Sequence, residues 1–108
     1  MTEKLMSKTD TITRPKIAPK TAMVEPPEFR VIYVNDDVTT QEFVIETLKI
    51  VFNYDDDAAE ALTMRVHEEG SATVAVLPFE IAEQKGIEVT MMARAHGFPL
   101  LVKIEQDQ

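Results

Sequence analysis

Phe29, Val31 and Tyr33 alternate with Arg30, Ile32 and Val34 in a run dominated by β-branched and aromatic residues. That pattern predicts a strand buried largely on both faces. Asn35-Asp36-Asp37 then stops it. Thr39-Thr40-Gln41-Glu42 has the spacing of a capping box, with the Thr39 hydroxyl reaching a backbone N–H and Glu42 reaching back. A helix is expected from there, with Val44, Leu48, Val51 and Phe52 as its core stripe and Glu42, Glu46 and Lys49 facing water. Asn53-Tyr54 breaks the pattern. Asp55-Asp56-Asp57 supplies an N-cap and first-turn negative charge for a second helix, where the helix dipole favours it. This helix turns Ala58, Ala61, Leu62 and Val66 inward and stops at Gly70.

Residues 71–77 are a second strand candidate, and Pro78 beside Phe79-Glu80 opens a third helix. Its apolar face is Ala82, Val89, Met92 and Ala93, interrupted by Gly86, which costs about 1 kcal/mol relative to Ala inside a helix. His96-Gly97-Phe98-Pro99 ends it, and Leu100, Val102 and Ile104 alternate with Leu101, Lys103 and Glu105 in a last strand. The order strand, helix, helix, strand, helix, strand predicts an α+β fold, a small three-stranded antiparallel sheet packed against three helices. Residues 1–27 are rich in Thr, Lys and Pro without an apolar period, so they read as a disordered N-terminal arm preceding a core domain at 28–108. A dispensable tail is the competing reading of the same composition.

Charge changes the picture more than length does. The 108 residues suffice for one domain, and their net charge of −8 is unevenly placed. Residues 1–27 carry five Lys/Arg against three Asp/Glu, whereas the rest of the chain carries six against sixteen. An acidic core repels phosphate, which argues against nucleic acid and anionic membrane as partners. With no cysteine, a disulfide framework, a thiolate metal site and a cysteine nucleophile are excluded. No apolar stretch approaches the ~20 residues of a membrane span. Lys4 and Lys8 are followed by no signal-type apolar region, so a cytoplasmic location is expected.

Catalysis has no evident home. Ser7 lies in the arm and Ser71 begins a strand, neither in a nucleophile-elbow context. Asp55-Asp56-Asp57 lacks the alternation, central Gly and terminal Glu of a calcium loop. His67, Asp36 and Asp37 lack local metal-ligand spacing, so neither metal nor cofactor is expected. Taken alone, Asn35-Asp36-Asp37 reads as turn chemistry and His67 as a cation near a helix C-terminus. His96, beside a glycine in a turn, is blander still.

One ordered set of residues goes further. Val31-Ile32-Tyr33-Val34 runs into Asn35-Asp36-Asp37, followed by Thr39, Glu42-Phe43-Val44, Phe52, Val66-His67 and Gly70. Glu80, Ala82-Glu83, Lys85 and Pro99-Leu100-Leu101 complete it. This set resembles the ClpS adaptor family over nearly all of residues 29–105. The resemblance implies a monomeric, non-enzymatic adaptor for N-degrons. It would bind a free α-amino group followed by Phe, Tyr, Trp or Leu and hand the protein to the unfoldase ClpA of the ClpAP protease. On the matching positions, Asn35, Asp36 and His67 would hold the α-amine. Asp36, Thr39, Gln41, Val44, Thr63, Val66 and Leu100 would line the side-chain pocket, and Glu80 and Lys85 would face the N-terminal domain of the unfoldase. Many members place methionines where this sequence has Gln41 and Thr63, a departure compatible with a specialised second copy of the adaptor. The alternatives are an interaction module resembling the C-terminal domain of the ribosomal stalk protein and a small metal-dependent enzyme.

Overall fold

A computed structural model describes residues 25–108, so residues 1–24 of the expected arm lie outside the described residues. The elements are β1 (Glu28–Val34), α1 (Gln41–Phe52), α2 (Asp56–Glu69), β2 (Ser71–Pro78), α3 (Phe79–Ala95) and β3 (Leu101–Gln106). The three strands form one antiparallel sheet in the order β2-β1-β3. The sheet and its three helices make the expected α+β domain. As the central strand, β1 has a neighbour on both edges, and none of residues 29–34 is exposed. Val31, Tyr33, Leu48, Val89 and Leu100 form the middle of the core, with α3 laid against all three strands.

Two local geometries follow from tertiary contact rather than from pattern. The register passes from Val31↔Ala75 to Ile32↔Thr73, which leaves Val74 as the extra residue of a β-bulge. Its carbonyl accepts from the Tyr54 hydroxyl. Gly86 is buried where α3 approaches β3, and a Cβ there would stand 3.3 Å from Ile104 Cδ1 and 3.6 Å from Val102 Cγ1. The helix-weakening glycine therefore serves close packing of helix on strand.

The expected caps need one correction. Thr40, not Thr39, is the N-cap of α1, accepting from the Phe43 N–H at 3.1 Å, because the Thr39 hydroxyl is taken by Asp36. Asp55 caps α2 through the Ala58 N–H at 2.8 Å, and Gly70 ends that helix in the left-handed region at φ 89°, both as expected. The inward face of α2 is Ala59, Thr63 and Val66, while Ala61 is exposed. Short alanines weigh little in a hydrophobic stripe, and the threonine hydroxyl hides a buried position. Pro78 closes β2 and precedes α3 instead of sitting inside it.

Tyr33 links β1 to α1. Its fully buried hydroxyl lies 2.8 Å from Thr47 Oγ1, and Thr47 donates to the Val44 carbonyl at 2.8 Å. Thr47 has one proton to give, so Tyr33 is the donor between the two. Burial pushes the Tyr33 hydroxyl well above its ordinary value of 10.0. The folded-state value exceeds the unfolded one, so the associated stability is complete below about pH 10 and is lost as pH rises further. Tyr33→Phe is expected to cost about 1 kcal/mol and to remove that share of the alkaline loss. Thr47→Val should cost more, about 1–3 kcal/mol, because it leaves the Tyr33 hydroxyl buried without an acceptor. Urea unfolding of both variants at neutral and alkaline pH checks this, and equal costs would contradict the donor assignment.

Candidate functional site

The central strand ends between two other elements. Val34 pairs with Ser71 on one side and Leu101 on the other, so Asn35 leaves the sheet between Gly70 and Leu100. The Asn35 N–H donates to the Gly70 carbonyl at 2.9 Å, tying the loop to the end of α2. His67 and Thr63 precede Gly70 by three and seven residues, spacings that put all three on one side of the helix. The C-terminal turn of α2, the loop after β1 and the approach to β3 therefore meet at one end of the sheet.

In that loop Asp36 folds back on its own backbone. Its Oδ1 accepts from the N–H groups of Val38 at 2.8 Å and Thr39 at 2.7 Å, and its Oδ2 accepts from the Thr39 hydroxyl at 2.8 Å. A carboxylate has about four lone-pair positions, so these three bonds fix its orientation and leave room for a further donor. Partial burial acts to raise its pKa. The Thr39 and Val38 hydrogen bonds and the Arg94 charge outweigh that, and the carboxyl sits below its ordinary value of 3.8. Asp36 is thus an anion held in place at neutral pH.

The expected pocket residues divide by burial. Val44, Val66 and Leu100 belong to the core, with Leu100 1% exposed. Thr63 is also buried, and its hydroxyl donates to the Ala59 carbonyl one turn earlier at 2.8 Å, which satisfies it within the helix. Asn35, Gln41 and His67 are exposed, and Asp36 and Thr39 lie between. Exposed polar groups beside buried apolar ones can hold a small cation joined to an apolar group. His96 sets its Nδ1 2.9 Å from the Met92 carbonyl and its ring 5.2 Å from that of Phe43.

Glu80 and Lys85 are not part of this assembly. Glu80 follows Pro78, which pairs with Glu28 at the other end of β1, seven residues or roughly 20 Å away. Lys85 is half-buried, donates to the Val51 carbonyl at 3.0 Å and stands 5.9 Å above the Phe52 ring, so it caps the C-terminal end of α1. Arg94 was not singled out by the sequence pattern. Its signal was a basic residue in the last turn of α3, where a cation suits the helix dipole. Among the described residues no three His, Asp or Glu side chains are grouped to hold a metal, and no helix is long and apolar enough to cross a membrane.

Comparison with known proteins matches most of the chain to one family. Residues 24–103 match the family model described as ATP-dependent Clp protease adaptor protein ClpS. The ATP-dependent Clp protease adapter protein ClpS of Nautilia profundicola is 42% identical over 84 residues, covering 78% of this chain and 87% of that protein. The adapter protein ClpS 1 of Bradyrhizobium diazoefficiens is 37% identical over 99 residues, covering 92% and 98% respectively. The structure of Agrobacterium tumefaciens ClpS2 bound to L-phenylalaninamide superposes with a TM-score of 0.75 at 38% identity, covering 77% of this chain and all of that one.

The Asp36 hydrogen bonds generate a direct expectation. Thr39→Val removes the hydroxyl donor while keeping the backbone one, so the Asp36 pKa should rise toward its ordinary value. Side-chain carboxyl carbon shifts followed through an acid titration measure this, and an unchanged value would mean that the hydroxyl contributes nothing to holding the anion.

Proposed function

The chain belongs to the ClpS family of Clp protease adaptors, and from that premise we propose that it captures proteins by a free N-terminus bearing a bulky apolar first side chain. The observation that supports this reading is the hydrogen bond from the Asn35 N–H to the Gly70 carbonyl, which ties the loop carrying the oriented Asp36 carboxylate to the end of the helix carrying His67. An α-ammonium has three donors and one positive charge. An amide oxygen, a carboxylate and a neutral imidazole offer it convergent acceptors, one of them anionic. Fully burying the first side chain against Val44, Val66 and Leu100 adds about 1.5–3 kcal/mol. Internal segments of a protein lack the ammonium and are refused. The ligand of Agrobacterium tumefaciens ClpS2, L-phenylalaninamide, has the chemistry of such a first residue: a free amine, a ring and no carboxylate.

In this reading the protein is a cytoplasmic adaptor without catalysis of its own, working as a monomer and delivering its cargo to a ClpA-type unfoldase. Glu80 lies in an exposed apolar groove with Pro26, Pro27, Pro78, Phe79 and Ile81, at the end of the sheet opposite the cradle. That separation supports simultaneous capture and delivery. Lys85 contributes there only as far as its bond to the Val51 carbonyl leaves it free. The stalk-like alternative has no observation in its favour once the family is known.

Thr63 sets the selectivity. With its hydroxyl satisfied by Ala59, the difference from methionine is mainly volume, and a flexible Leu guest leaves more unfilled space than a ring. Aromatic first residues should therefore bind more tightly than Leu. Fluorescence anisotropy with peptides differing only in the first residue, free or N-acetylated, tests both levels. The free Phe peptide is expected to bind, the acetylated one to lose nearly all affinity, and Asp36→Ala or His67→Ala to cost at least about 1.5 kcal/mol each. Thr63→Met should improve Leu-peptide binding more than Phe-peptide binding. Equal binding of acetylated and free peptides would sink the cradle, and an equal gain for both guests would sink the volume account.

Delivery is tested separately. Glu80→Lys should weaken the complex with the unfoldase while leaving peptide affinity intact. Deleting residues 2–24 should likewise spare peptide affinity but slow degradation of a bound substrate. Undiminished degradation by the shortened protein would return those residues to the reading of a dispensable tail.

A further inference from the structure

We propose that Arg94 is a positioning residue for the peptide site, its guanidinium fixing the irregular segment that presents Leu100 beside the Asn35-Asp36 loop. This rests on the reading of that site given above. Between the end of α3 and the start of β3 the chain passes through residues 96–100 without regular secondary structure beyond a turn. A wall residue placed by such a segment needs some other restraint. Arg94 Nη1 donates to the Phe98 carbonyl at 2.9 Å and to the Leu100 carbonyl at 3.0 Å, so one nitrogen uses both of its protons to draw two alternate carbonyls together. The Phe98 N–H donates back to the Ala93 carbonyl at 2.9 Å, and the Phe98 ring packs 5.1 Å from that of Phe43. The segment is thus held at its middle by the core and at its end by Arg94.

The rest of the guanidinium remains free to act through its charge. It contributes to keeping the Asp36 carboxyl ionised, so the same side chain bears on both halves of the site. Arg94 itself is exposed, and its removal empties no core volume. The planar guanidinium fixes the directions of the two Nη1 protons toward the two carbonyls, whereas a lysine ammonium turns freely at the end of a flexible stem.

The test is a double-mutant cycle in affinity for a fluorescent peptide with a free N-terminal Phe, using Arg94→Met and Leu100→Val. Arg94→Met keeps the aliphatic stem and should weaken binding about fivefold, with Arg94→Lys recovering part of the loss. In the Leu100→Val background the same Arg94→Met change should alter affinity by less than about twofold, because the group it positions has already been trimmed. Amide hydrogen exchange at Leu100 and Leu101 should quicken in Arg94→Met while exchange at Val31 does not, a readout that general destabilisation would not give. Unchanged peptide affinity in Arg94→Met, or an equal loss in both backgrounds, overturns the inference and leaves the peptide site standing. Failure of the unmutated protein to bind the peptide would remove the site and this inference with it.

Discussion

The hydrogen bond from the Asn35 N–H to the Gly70 carbonyl, 2.9 Å long, joins the end of the central strand to the end of the second helix. Gly70 makes it possible by adopting φ 89°, a conformation that a side chain would strain. The strand that follows at once, β2, pairs antiparallel with β1 from Ser71↔Val34 onward. The loop carrying Asp36 is therefore fixed beside the helix turn carrying His67 by the same backbone geometry that starts the sheet. The site depends on this junction, since Asn35 and His67 are far apart in sequence and share no secondary-structure element.

A consequence is that the proposed recognition would draw on residues that also support stability. Val44, Val66 and Leu100 are core side chains. Truncating them removes buried apolar volume, at a cost of about 2–5 kcal/mol for Leu to Ala, before any effect on a ligand is felt. The polar residues are different. Asn35, Gln41 and His67 are exposed, so substitutions there should have little effect on folding, and under the proposed function they act on binding. Thr63 stands between the two classes. It is buried, yet its hydroxyl is satisfied by its own helix, so burial leaves no polar group unpaired there.

Sequence pattern and structure agree wherever a local signal has no rival. The β1 alternation, the Asp55 cap, the Gly70 stop and the element order are of this kind. They diverge where two residues compete for one role and a distant partner decides. Thr39 and Thr40 both offer a capping hydroxyl, and only the fold of the Asp36 loop assigns Thr39 to the carboxylate. The inward face of α2 was obscured because alanines are weak markers and Thr63 looks polar. Gly86 is unfavourable in α3 by propensity alone, and the close approach of β3 accounts for it. The candidate site is legible through family resemblance rather than spacing, and Arg94 escapes because its partners are carbonyls, which no sequence pattern displays.

The central claim is that one end of this sheet, and not another surface, receives a free N-terminal residue. It is tested most directly by titrating the isotopically labelled protein with L-phenylalaninamide and mapping the backbone amide shifts. The account predicts saturable changes confined to the loop after β1, the last two turns of α2 and the segment around Leu100, with α3 from Phe79 to Lys85 unmoved. Changes centred instead on the groove between α3 and β3, lined by Glu83, Gly86, Ile87, Thr90, Val102 and Ile104, would contradict it.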